Sequence, residues 1–98
     1  MTNDKYVGMD VHAASTSAEV QNYNGKVVRR SVMETDGEEI KDFLKGISGT
    51  VHVTFEEGTH ARWLYDTIKP VVAEVMVCNA RHNKLITSGQ QVGQNRRA

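Results

Sequence analysis

Tyr6-Val7-Gly8-Met9-Asp10-Val11-His12 is an apolar run with one carboxylate inside it. Its alternation places Tyr6, Gly8, Asp10 and His12 on one face and Val7, Met9 and Val11 on the other, which is the period of a strand. An ionised carboxylate without partners loses several kcal/mol of solvation when buried, so an acid in such a strand calls for a partner, a metal or open solvent. A second apolar run, Val51-His52-Val53-Thr54-Phe55, also ends in acid, at Glu56 and Glu57. Two strands that each deliver a carboxylate suggest a metal site. Read more plainly, Asp10 ends a strand in solvent and Glu56-Glu57 begins a loop.

Working outward, Ser15 to Gln21 continues as a strand, and Asn22-Tyr23-Asn24-Gly25 supplies the Asn-Gly turn favoured by type I′ hairpins. A third strand runs from about Lys26 to Met33. Thr35 or Asp36 then caps a helix whose first turn holds Glu38 and Glu39, acids that the helix dipole favours there. Ile40, Phe43, Leu44 and Ile47 repeat at helical spacing. Gly46 and Gly49 bracket its exit, Val51 to Glu56 forms the next strand, and a second helix over 59–69 is expected to bury Trp63, Leu64 and Ile68 before Pro70 ends it. Val71 to Cys78 reads as a fifth strand and Arg81 to Ile86 as a short helix. Residues 88–98 are polar, Gly-containing and expected to be mobile.

Ninety-eight residues make one domain, which buries roughly 60–65% of its unfolded surface. Twelve basic and twelve acidic side chains cancel, so the chain lacks the basic footprint of a protein that holds nucleic acid by bulk charge. Cys78 has no partner for a disulfide within the chain, which fits a reducing compartment. Met1 to Lys5 shows no signal-peptide core, and no segment approaches about 18 apolar residues. A soluble, cytoplasmic protein away from the membrane is expected.

The order β-β-β-α-β-α-β implies a mixed five-stranded sheet, with an antiparallel hairpin first and parallel pairing across the helical crossovers. This succession resembles the ribonuclease H-like fold. In that fold the first and fourth strands are neighbours, which implies that Asp10 and Glu56 meet at one sheet end. Residues 6–12, Phe55-Glu56-Glu57-Gly58-Thr59, Trp63-Leu64-Tyr65-Asp66 and Val75-Met76-Val77-Cys78-Asn79-Ala80-Arg81 resemble, more narrowly, the N-terminal domain of DEDD-type transposases of insertion-sequence family 110. The similarity covers residues 5 to about 89. It implies a 1–89 transposase domain with a divergent tail at 90–98.

What the resemblance implies is a metal-dependent DNA recombinase that moves a mobile element, guided in some members by a structured RNA. Its chemistry uses Mg²⁺ or Mn²⁺ held by hard oxygen ligands, to activate the attacking oxygen and stabilise the leaving oxygen of a phosphodiester. By resemblance Asp10 and Glu56 are the catalytic and metal-binding acids, with Glu57 the lesser candidate for the second. After a glycine such as Gly89 the family continues with a lysine, two aspartates and a long helix. Here residues 88–98 hold no acid, so the last two ligands and the serine-bearing second domain have no counterpart. The expected product is therefore a truncated domain, inactive alone.

The remaining chemistry-bearing residues support less. His12, His52, His60, His82 and Cys78 lack zinc-finger spacing. Arg81, Lys84, Arg96 and Arg97 are candidate phosphate contacts. Trp63 and Tyr65 read as packing residues and Arg29-Arg30 as a solvated strand pair. Two other functions stay open: a regulatory module that binds DNA, RNA, intact transposase or a second copy of itself, and a fragment of an actin-like kinase. The kinase reading shares the strand order, but His12-Ala13-Ala14-Ser15 departs from a phosphate loop rich in Gly and Thr.

Overall fold

A computed structural model describes residues 3–79 and 84–86. Strands β1 (Asp4–Val11), β2 (Ser15–Asn22) and β3 (Val27–Glu34) come first, followed by helix α1 (Gly37–Lys45), strand β4 (Thr50–Glu56), helix α2 (Ala61–Ile68), a 3-10 turn (Lys69–Val71), strand β5 (Glu74–Asn79) and strand β6 (Lys84–Ile86). They build one mixed sheet in the order β3-β2-β1-β4-β5-β6. The first three strands pair antiparallel, β1 pairs with β4 and β4 with β5 in parallel, and β6 returns antiparallel on β5.

Period-two alternation sorts the strands into two faces. Val7 and Met9, Ala18 and Val20, Met33, and Val51, Val53 and Phe55 are buried, and they form one core with Ile40 and Leu44 of α1 and Leu64 and Ile68 of α2. Both helices therefore cover the same side of the sheet. The residues between these core positions, Tyr6, Gly8 and Asp10 on β1 with His52, Thr54 and Glu56 on β4, lie on the opposite, open face. Thr16 is buried among apolar neighbours, and its hydroxyl is satisfied by that of Thr35 at 2.8 Å.

Local chemistry explains the ends. Asp36 is the N-cap of α1 and accepts from the Glu39 amide at 3.0 Å, while Thr35 ties the β3 end to the His12 carbonyl. The hairpin between β2 and β3 closes through the Gly25 amide on the Asn22 carbonyl, with Gly25 at φ +84°. That is a turn carrying one left-handed glycine after it, with Asn22 Oδ1 holding the amides of Asn24 and Lys26.

Several expectations need correction. Trp63 is 39% exposed, because the buried stripe of α2 runs through Leu64 and Ile68 and leaves Trp63 about 100° around the helix. β5 starts at Glu74, since the 3-10 turn containing Pro70 takes up Lys69–Val71. The expected helix over 81–86 is replaced, at 84–86, by a sixth strand. A helix so short gains few hydrogen bonds for its nucleation cost, whereas a strand pairs with the outer edge of β5. The 90–98 tail and the end of the 1–89 domain lie outside the described residues. Among the described residues no helix is long and apolar enough to cross a membrane.

Candidate functional site

β1 and β4 are matched residue for residue up to Met9 opposite Phe55. Asp10 and Glu56 each stand one residue beyond that pair, at the same end of adjacent parallel strands and on the same open face. Asp10 is also opposite Ser17 of β2, and Glu56 opposite Cys78 of β5. The two acids singled out in the sequence are thus brought to one sheet end. The Asp10 side chain is 73% exposed and its Oδ2 lies 3.1 Å from His12 Nε2. The His12 side chain is itself 67% exposed, so the pair lies in solvent.

A cleft of about 310 Å³ opens at this end, and Asp10, His12, Glu56, Glu57, His60 and Leu64 are among the residues lining it. Its floor is where β1, β4 and the start of α2 meet. Chain reversal after each parallel strand produces this crevice, the usual place for ligands in open α/β sheets. Glu57 follows the last residue of β4, and its amide makes the closing bond of the β4–β5 ladder, to the Cys78 carbonyl at 2.7 Å. Among the described residues no three His, Cys, Asp or Glu side chains are grouped to hold a metal ion. Asp10 and Glu56 are hard donors suited to a hydrated Mg²⁺ that retains most of its waters, and they do not make an enclosed cage.

Of the candidate phosphate contacts, Lys84 opens β6 opposite Asn79, whereas Arg81, Arg96 and Arg97 lie outside the described residues. His82 does too. Cys78 pairs with Thr54, Sγ to Oγ1 at 3.2 Å.

The other end of the open face holds a group that sequence reasoning missed. His52 on β4 lies between Asp4 of β1, at 3.1 Å from Nε2, and Glu74 of β5, at 2.6 Å from Nδ1. The Tyr6 ring stacks on its imidazole at 4.9 Å. Burial opposes the charged form of His52, but hydrogen bonds and attraction from Asp4 and Glu74 outweigh it and raise its pKa above the usual 6.5. Both ring nitrogens donate only in the imidazolium form. Its contribution to stability is therefore complete below the unfolded-state pKa and is lost as pH rises through the higher folded value. Urea midpoints of the parent and His52→Gln should converge as pH rises from about 5.5 to 8.5. A gap that stays constant or widens would contradict the clamp. The only signal in the sequence was parity, since Asp4, Tyr6, His52 and Glu74 are even-numbered positions on strands whose register had yet to be known.

No protein-family profile matches the chain, and no curated protein does. Solved structures include two similar ones from Aquifex aeolicus. One, a crystal structure of its Ppx/GppA family member, is 15% identical with a TM-score of 0.40, the similarity covering 74% of this chain and 35% of that one. The other, described as a structural study of the PPX-GPPA enzyme, gives 15% and 0.39, with 74% and 36% covered. The chain spans about a third of the length of these structures. Likeness of this degree leaves the choice among α/β families to the residues themselves.

Proposed function

We propose that this chain is a ribonuclease H-like, N-terminal catalytic-domain fragment of a DEDD-type transposase, in which Asp10 and Glu56 are the surviving acids of a Mg²⁺ or Mn²⁺ site. The observation that carries this reading is their common position, one residue beyond the Met9–Phe55 pair on adjacent parallel strands. The four sequence blocks that resemble insertion-sequence family 110 support it. When bound, the metal supplies Lewis-acid activation of a phosphodiester. Of this chain's own residues, Asp10 and Glu56 would hold the ion, and His12, 3.1 Å from Asp10 Oδ2, would help to orient that carboxylate. In this reading phosphodiester transfer needs further ligands beside these two acids, and a site of Asp10 and Glu56 by themselves would hold the metal weakly. DNA, and a structured guide RNA, are the partners this reading implies for an intact relative.

A regulatory module that binds nucleic acid or an intact transposase is the second reading, favoured by the sheet face that the helices leave uncovered. The actin-like kinase reading has less support. The turn after Asp10 closes through the His12 amide on the Ser15 carbonyl, and its residues, His12, Ala13 and Ala14, include neither Gly nor Thr.

Residue-resolved NMR during Mn²⁺ and Mg²⁺ titration tests the metal site. Broadening and shifts should be confined to residues around Asp10, His12 and Glu56, and Asp10→Asn should weaken binding about tenfold or more, removing one of two charged ligands. Unchanged spectra, or binding as tight as the parent's by both Asp10→Asn and Glu56→Gln, would remove the site.

A further inference from the structure

We infer that the outer edge of β3 pairs antiparallel with β3 of a second copy of this chain, in the register that sets Val32 opposite Val32 and Arg30 opposite Glu34. β3 ends the sheet, and no strand among the described residues pairs with its outer side. An edge eight residues long is a template for another strand.

The backbone shows which residues would pair. The Thr35 amide donates to the Ala14 carbonyl directly opposite it, so the odd-numbered residues of β3 turn their N–H and C=O toward β2. Arg30, Val32 and Glu34 therefore turn theirs outward. The Glu34 carbonyl also accepts from the Asp36 amide and keeps a second lone pair. The ladder shifts register between Val20 and Gln21, which leaves Val28 as the extra residue of a bulge and limits the usable edge to the stretch after it.

Side-chain charge then selects the register. Arg30, Val32 and Glu34 lie on the open face, where Val32 is 74% exposed. A two-fold axis through Arg30 would oppose two guanidiniums, and one through Ser31 would set Arg30 against Val32. An axis through Val32 sets each Arg30 against the partner's Glu34 and brings the two exposed valines together. Arg30 already holds Glu19 of β2 at 2.9 Å, and it would then lie between carboxylates on both sides. Charges at a sheet edge normally deter pairing with arbitrary strands. Opposite signs four residues apart, one on each side of Val32, deter most partners yet complement an antiparallel copy of the same strand. A strip of this width buries well under about 1,000 Å², so the dimer is weak and concentration-dependent.

Sedimentation equilibrium from about 10 μM to about 1 mM tests this, on the parent chain and on Glu34→Arg and Val32→Pro, both at exposed positions. Glu34→Arg opposes like charges at both ends of the pair and should weaken the dimer about tenfold or more. Val32→Pro removes an outward N–H that no described group uses, and should abolish the dimer while leaving circular dichroism unchanged. In a Cys78→Ser background, Val32→Cys should form an intermolecular disulfide on oxidation and Val28→Cys should not. A chain that remains monomeric throughout, or a dimer indifferent to both edge variants, would overturn the proposal.

Discussion

Gly49→Ala is expected to destabilise the protein by about 2–4 kcal/mol, lowering its melting temperature by roughly 10–25 °C. Gly49 has φ +98°, a conformation that L side chains rarely adopt. An added Cβ would be driven into the carbonyl oxygen of Asn3 and would stand 2.9 Å from its side-chain amide. That carbonyl accepts the Thr50 amide at 3.1 Å, and Lys5 Nζ secures Asn3 Oδ1 at 2.7 Å and the Ser48 carbonyl at 3.2 Å. The glycine thus allows β1 and β4 to begin side by side. Displacing Asn3 would loosen the first link of the parallel pair that aligns Asp10 with Glu56. Gly25→Ala is the control, because Gly25 has φ +84° but nothing within 4 Å of its missing Cβ. It should show only the backbone penalty, about 1–2 kcal/mol. Thermal melts followed by circular dichroism would distinguish the two, and equal losses would show that the Asn3 contact contributes nothing.

Features set by neighbours in sequence were the ones legible from it. Alternation at residues 6–12 and 51–56 identified both strands and their buried faces, and the spacing of Ile40 and Leu44 identified the inward side of α1. The acid pair was legible as two strands ending in carboxylates, but their adjacency came from the resemblance, because no local pattern states which strands pair. The His52 clamp was hidden for the same reason: Asp4 and Glu74 meet it only through the β1–β4 and β4–β5 registers. Trp63 illustrates another limit. Hydrophobicity suggested burial, whereas the rotation of a short helix fixed by Leu64 and Ile68 leaves it partly in solvent. At β6, local propensity was overridden by unpaired backbone groups on β5, a requirement visible only once the sheet exists.

Leu64→Ala is expected to cost about 2–5 kcal/mol, whereas Asp10→Asn should change stability by no more than about 1 kcal/mol. Leu64 is fully buried, packs in the core from α2 and also lines the cleft beneath Asp10 and Glu56. Truncation removes apolar contacts and leaves space that surrounding strands fill only in part. Leu64→Met, close to volume-conserving, should cost under about 1.5 kcal/mol. Asp10 presents the opposite case, with an exposed carboxylate whose pair with His12 is screened by water. Urea unfolding of the three variants, set beside the metal titration, separates scaffold from site. Asp10→Asn should unfold near the parent midpoint yet bind metal weakly, while Leu64→Met should approach the parent in both. If Asp10→Asn unfolds as readily as Leu64→Ala, Asp10 supports the fold, and its weakened metal binding no longer identifies it as a ligand.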